Sequence, residues 1–281
     1  MNFRSLLVLL DGEPRCDARV HLAARFAAAH GSHLVGVAPT GLMELGSGMG
    51  AAARYVDAAA CARGDAIARA GRWVERFKTL CSAAGVASLE AGVYEGDPVV
   101  AVLHHAHCAD VAVIGQADPA RRPEYRDERR FVEQILLHNA RPTLVLPCSG
   151  RIESVGDEVL VAWDDSHRSA RATADALPLL EQARQVHLRS WRRADGATEE
   201  AIHGRLQAVQ RWLMRQGVAC NTQVQVAAAA IGDAILDHAA ALGVDLIVMG
   251  SYGHSRWSER ILGGATRTVL ERSKVALLMS H

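Results

Sequence analysis

Lysine is almost absent from this chain: Lys78 and Lys274 are the only two among 281 residues. That scarcity removes the Gly-x-x-x-x-Gly-Lys loop of phosphate-handling enzymes, and no Ser-His-Asp order, nucleophile elbow or paired-carboxylate pattern stands in its place. Nothing here resembles machinery for fast phosphoryl transfer, so at most weak ATP hydrolysis is expected. Net charge is also lacking, with 31 basic against 31 acidic residues. No global field therefore favours nucleic acid or an anionic membrane. Aromatics make up only 5%, too few for a platform of stacked bases. No apolar run approaches the roughly 20 residues of a membrane helix. Met1 to Leu10 has the length of a short signal peptide, but Asp11-Gly12-Glu13-Pro14 follows without a small-residue cleavage site. The six cysteines (16, 61, 81, 108, 148 and 220) form no C-x-x-C pair, which fits reduced thiols and a cytoplasmic location.

What is present is a repeat. The length suggests about two domains. In the first half, apolar runs at 6–10, 34–38, 89–94, 110–115 and 143–147 have strand length. Between them lie an Ala-rich helix over 17–30 closed by Gly31, a glycine-rich loop at 41–50, and a long helix over 52–84 with a break expected near Gly64 or Gly71. Glu95-Gly96-Asp97-Pro98 starts another helix, with proline just inside it. The second half repeats this order with strands at 158–163, 186–191, 222–226, 245–250 and 275–279 and a helix at 199–216. Asp164-Asp165 mirrors Asp11-Gly12, Gly232-Asp233 mirrors Gly96-Asp97, and 245–250 aligns with 110–115 without a gap. Internal duplication follows, giving domains at 1–148 and 156–281 with a linker over 148–157.

Strands alternating with helices imply an α/β fold of two tandem doubly wound domains, each a five-stranded parallel sheet with helices on both faces. A ligand crevice then lies beyond the carboxyl ends of the strands, where strand order reverses. Duplicated halves carry matching surfaces, so a pseudo-twofold pair is expected with the two final strands at its interface. That arrangement is an intramolecular pseudo-dimer, and a homodimer of whole chains is compatible with it.

The most informative stretch is Asp245-Leu-Ile-Val-Met-Gly250-Ser-Tyr-Gly253, followed after nine residues by Gly263-Gly264-Ala265-Thr266 and a helix. Glycines after a buried strand permit positive φ and close approach of a ligand to the backbone. Unpaired amides at the helix start suit an anion, above all a phosphate. Gly250-x-x-Gly253, nine residues, then Gly263 and a small residue resembles the nucleotide-binding motif of the universal stress protein family. The resemblance covers nearly the whole chain as two family domains and is strongest over 158–280.

The resemblance implies a Rossmann-like stress-response sensor or interaction protein. It implies one ATP or related adenine nucleotide, arriving with Mg, on Gly250, Gly253, Gly263, Gly264, Ala265 and Thr266. Asp164 then faces the adenosine end, although an aspartate there also suits a helix cap. Two departures stand out: Gly264 replaces the Ser or Thr of the nucleotide-binding members, with Thr266 as a substitute hydroxyl, and Asp165 replaces a more usual glycine. A slow ATPase or nucleotide-dependent enzyme in the same crevice, and a module with an empty crevice and a protein partner, are the other classes.

In the first half Gln116-Ala-Asp118 replaces the x-x-Gly step, and Arg130-Phe131 matches Gly263-Gly264. This half reads as a structural copy, with Asp11 a strand-end residue. Residues 120–130 carry five arginines and three acids and read as a mixed-charge loop or solvated helix face, mobile like 41–50. His104, His107 and Cys108 share a helix face at zinc-compatible spacing, but no remote fourth ligand accompanies them, and no metal site is expected. Tyr252 and Trp257 stand beside the glycine loop, placed to pack on a base or on a helix.

Overall fold

The computed structural model describes residues 3–41, 53–121, 125–150, 152, 154–192, 198–227, 230–251 and 264–281; of 53–60 and 125 it describes the backbone alone. The glycine-rich loop expected at 41–50 falls almost wholly outside these residues, as do Gly253, Gly263, Tyr252 and Trp257.

Elements alternate along the chain as β1 (Ser5–Leu9), α1 (Cys16–His30), β2 (His33–Pro39), α2 (Ala53–Ala83), β3 (Leu89–Tyr94), α3 (Pro98–Ala106), β4 (Val111–Gly115), α4 (Tyr125–His138) and β5 (Thr143–Leu146). The second half continues with β6 (Glu158–Ala162), α5 (His167–Asp175), α6 (Leu177–Leu180), β7 (Gln185–Arg192), α7 (Glu199–Arg215), β8 (Asn221–Val226), α8 (Ile231–Leu242), β9 (Leu246–Gly250), α9 (Gly264–Arg272) and β10 (Ala276–Ser280). By packing, the described chain divides into residues 3–114 and residues 115–281. The expected 1–148 and 156–281 are a correspondence of sequence, a different thing from a packing unit.

Within residues 3–114 the strands run β3-β2-β1-β4, all parallel. Within 115–281 they run β5-β10-β9-β6-β7-β8, parallel except where β5 meets β10. The order β8-β7-β6-β9 therefore repeats β3-β2-β1-β4. Leu6 to Leu9, Val111 to Ile114, Val159 to Ala162 and Leu246 to Met249 are all buried, as central strands covered on two faces require. The last strand of each half meets the other as expected: Val145 stands opposite Leu277 and Thr143 opposite Met279, antiparallel.

Matched residues hold the matched strands. Asp110 accepts the amides of Arg4 and Ser5 at 2.7 and 3.0 Å. Asp245 likewise accepts those of Gly156, Asp157 and Glu158 at 3.0–3.1 Å. The aspartate that opens the informative stretch is thus a fastener for the start of β6. Gly31 takes φ 65° and its amide reaches Ala27 O, the left-handed stop expected for α1. Asp97 caps α3 through the amides of Val99 and Val100. Its sequence counterpart Asp233 lies inside the first turn of α8 instead, and Ala230 precedes that helix without a side-chain cap.

One expectation is corrected. α2 is continuous through Gly64 and Gly71, and both glycines tolerate the helix at a modest propensity cost. Of the charged stretch 120–130, residues 125–130 form the start of α4, the solvated helix face among the two expected readings, and Glu128 accepts Asp118 N–H and pairs with Arg121. Val132, Ile135 and Leu136 supply the buried face of that helix.

Candidate functional site at the carboxyl ends of β6 and β9

Ala162 pairs with Met249, so the loops leaving β6 and β9 start side by side. This is the switch point of the second-half sheet, since the chain leaves β6 toward β7 on one side and β9 lies on the other. Asp164 is exposed there, and one of its oxygens accepts Ser166 N–H at 3.1 Å. The helix cap is Ser166, whose hydroxyl accepts Ser169 N–H. Neither aspartate caps α5. Asp165 adopts φ 63°, the one non-glycine described residue with positive φ. Glycine would occupy this left-handed conformation at lower cost. Asp165 pairs in turn with Arg205 of α7.

Gly250 does not take positive φ. A Cβ placed on it would lie 2.7 Å from Arg168 Cβ and 2.8 Å from Ser169 N. Its missing side chain admits the first turn of α5, so local packing alone demands a glycine here. Ser251 follows, fully buried, with its amide and hydroxyl on Ser280 O at 2.8 and 3.1 Å.

The remaining described residues of the glycine motif lie in the first turn of α9. Gly264 is exposed, and nothing lies within 4 Å of where its Cβ would stand. Ala265 packs by its backbone against Gly232 of α8, where a Cβ would stand 3.0 Å from Ala265 O. Thr266 is 3% exposed and already engaged by a partner. Of the seven expected residues, Asp164 and Gly250 stand at neighbouring strand ends, Gly264 and Ala265 open α9, Thr266 is core, and Gly253 and Gly263 lie outside the described residues.

The matching end of β1 is occupied differently. Asp11 accepts Glu13 N–H at 3.1 Å, the counterpart of the bond Asp164 makes, although Gly12 does not share the positive φ of Asp165. Its carboxylate also lies 2.7 Å from Nη2 of Arg19, which is 2% exposed and donates from Nε to Leu9 O. Burial works against the charge on Arg19, but the Asp11 carboxylate and Cys16 outweigh it and the guanidinium titrates above its ordinary value. Asp11 is thus the counter-ion of a buried arginine, more than the strand-end residue expected. Arg19 escaped the sequence reading, although a charge on the helix face that carries Cys16, Val20, Ala23 and Ala27 was the signal for it. A cavity of about 230 Å³ opens beside Asp11 between α1 and α2, and its ions are already paired, Arg19 with Asp11 and Arg76 with Asp17.

Gln116 was also missed. It is 8% exposed, donates to Leu270 O at 2.6 Å and accepts Cys148 N–H at 2.9 Å. The step that replaces x-x-Gly in the first half therefore clamps the end of α9. Arg130 and Phe131, matched to Gly263-Gly264, lie in the interior of α4, where amides are spent on helix bonds and none is free for an anion. His105 donates from Nδ1 to Ala101 O at 2.7 Å and packs its ring against Tyr94. Among the described residues no group of three His, Cys, Asp or Glu side chains is set to hold a metal ion, and no helix is long and apolar enough to cross a membrane.

Comparison with known proteins brings a family to this geometry. The sequence model of the universal stress protein family matches residues 157–281. No curated protein matches the chain. Among solved structures, a universal stress protein from Archaeoglobus fulgidus DSM 4304 is 17% identical, covers 100% of this chain and 99% of its own, and superposes with a TM-score of 0.74. A functionally unknown protein from Pseudomonas aeruginosa PAO1 is 15% identical, covering 99% and 92%, with a TM-score of 0.60. A putative universal stress protein from Pseudomonas aeruginosa UCBPP-PA14 is 16% identical, covering 99% and 93%, with a TM-score of 0.59. At these identities the likeness is one of fold.

Proposed function

We propose that the chain is a stress-response sensor of the universal stress protein family, whose sequence model matches residues 157–281, and that it holds one adenine nucleotide, in its second half. The observation that carries this reading is the pairing of Ala162 with Met249. It sets the exposed carboxylate of Asp164 beside the strand that leads, through the glycine motif, to the open start of α9. Gly253, Gly263, Gly264 and Ala265 offer amides to phosphates, and Asp164 offers a carboxylate to a ribose or base. The first half has a buried arginine on Asp11 and a continuous α4 where these features would be, so it serves as a structural copy. The repeat boundaries 1–148 and 156–281 belong to the same proposal.

Neither departure from the motif defeats the site. A hydroxyl missing at 264 removes one neutral hydrogen bond, about 0.5–1.5 kcal/mol net, which is at most about tenfold in affinity. The extra negative charge of Asp165 is met by Arg205. Mg would enter bound to the nucleotide, since the described residues hold no carboxylate cluster for it. Calorimetry of the full chain with ATP and Mg tests the reading. One site is expected, lost in Gly264→Glu, a variant whose fold is safe because position 264 faces open space. Two equal sites would mean the first half binds as well. No heat, with no nucleotide released from the purified protein, would leave an interaction module with an empty crevice.

A further inference from the structure

Arg189, in the middle of β7, is 5% exposed, and everything it donates to is uncharged. Its Nη1 reaches the carbonyls of Asn221 and Leu188 at 2.9 and 3.1 Å. Its Nε donates to His238 Nε2 at 3.1 Å, and its Nη2 lies 3.3 Å from His187 Nδ1. Among the described residues no carboxylate pairs with it. Buried arginines ordinarily have such a partner, because an uncompensated buried charge is costly. Here neutral acceptors carry the whole load, two of them imidazoles.

A guanidinium can only donate, so His238 must present a bare Nε2 to it, whereas His187 Nδ1 lies 3.3 Å from both Arg189 Nη2 and Asn221 Oδ1. For His238 that places the proton on Nδ1 and requires a neutral ring. We propose that Arg189, His187 and His238 form an acid-released latch that holds α8 on the sheet at neutral pH and lets it go when His238 gains a proton. Protonation turns the Nε2 acceptor into a donor facing another donor, and puts a second positive charge 3.1 Å from a buried one. No nearby acid can absorb it. From β6, Glu158 stands 3.6 Å from His187 Nε2 but is already paired with Arg184 at 2.9 Å. Ahead of β8, Cys220 is half-buried, and its thiol is pushed up by burial. From β7, Trp191 meets the His238 ring edge-on at 6.1 Å. The neighbouring acid on α8, Asp237, is exposed.

The linkage has one sign. Burial, then Arg189, then His187 hold His238 below its ordinary value in the closed state. The latch is therefore whole above about pH 6.5, the free imidazole value, and weakens as pH falls below it. α8 passes the change on, since Gly232 sits against Ala265 and Thr268 with no room for a Cβ. Release of α8 thus frees the first turn of α9. This holds whether or not a nucleotide binds there.

Amide exchange of the full chain between pH 7.5 and 5.5, corrected for intrinsic rates, tests the latch. Opening of α8 and of the first turn of α9 should rise by up to about tenfold per pH unit between the two His238 values, with no matching rise in β3. In His238→Gln the amide oxygen still accepts from Arg189 and does not titrate, so protection at pH 7.5 should persist and the acid response should vanish. An acid response at α8 that survives in His238→Gln would overturn the proposal. Direct titration of the His238 ring in the wild-type chain by NMR gives a reading free of any variant, and a value at or above about 6.5 would also overturn it.

Discussion

Asp11 and Asp164 leave the carboxyl ends of β1 and β6 in the same manner, each accepting the amide two residues on. Their carboxylates then do different things. Asp11 is spent on Arg19, buried beneath it. Asp164 stays exposed, and the α5 face beneath its turn carries Ala172 and Thr173, with no buried arginine. A duplicated turn therefore serves once as the counter-ion of a core cation and once as a free acceptor at a strand end. At the exit of β4 the side chain of Gln116 is likewise spent, on Leu270 O and Cys148 N–H.

The sharpest way to break that comparison is at the aspartates. Asp11→Ala leaves Arg19 buried without its counter-ion and should cost about 3–5 kcal/mol. Asp164→Ala should stay within about 0.5–1 kcal/mol, as surface changes do, while weakening nucleotide binding. Urea denaturation of both variants checks this, and equal losses would erase the distinction. Next in size is Gln116→Ala, which removes the donor to Leu270 O and the acceptor of Cys148 N–H; about 1–3 kcal/mol is expected, read as a lowered thermal midpoint. Of similar size is the first of two glycine changes, and smallest of all is the second. Gly250→Ala drives a Cβ into Arg168 and Ser169 and should cost about 1–3 kcal/mol. Gly264→Ala meets nothing and should be neutral or gain up to about 1 kcal/mol from helix propensity. A large loss at 264 would show that the start of α9 is already packed against something.

The central strands were legible because burial on both faces leaves continuous apolar runs, as at Leu246–Gly250; the half-exposed Leu89–Tyr94 also has the bounds the sequence suggests. The repeat was legible for the same reason, through aspartates and glycines at fixed offsets from those runs. α4 was not, since the arginines and acids of its exposed first turns hide the buried spacing of Val132, Ile135 and Leu136. Glycine spacing marked a strand end correctly but could not say what each glycine admits. Gly250 admits a helix, Gly264 faces open space, and only coordinates separate the two. Arg189 was illegible for a deeper reason: its partners, His187 and His238, are neutral side chains from separate elements, and no charge pattern announces them.

The antiparallel meeting of β5 with β10 has a consequence for how the chain is made. Val145 and Leu277 are about 130 residues apart in the register. At synthesis rates of about 5–20 residues per second, the edge of β5 waits on the order of ten seconds for the strand that covers it. Thr143 to Leu146 is wholly apolar apart from its first residue and buried throughout, so for that interval the nascent chain presents an adhesive edge with no gatekeeping charge inside it. Arg141 and Pro142 just ahead of it are the nearest residues that oppose strand pairing at that edge.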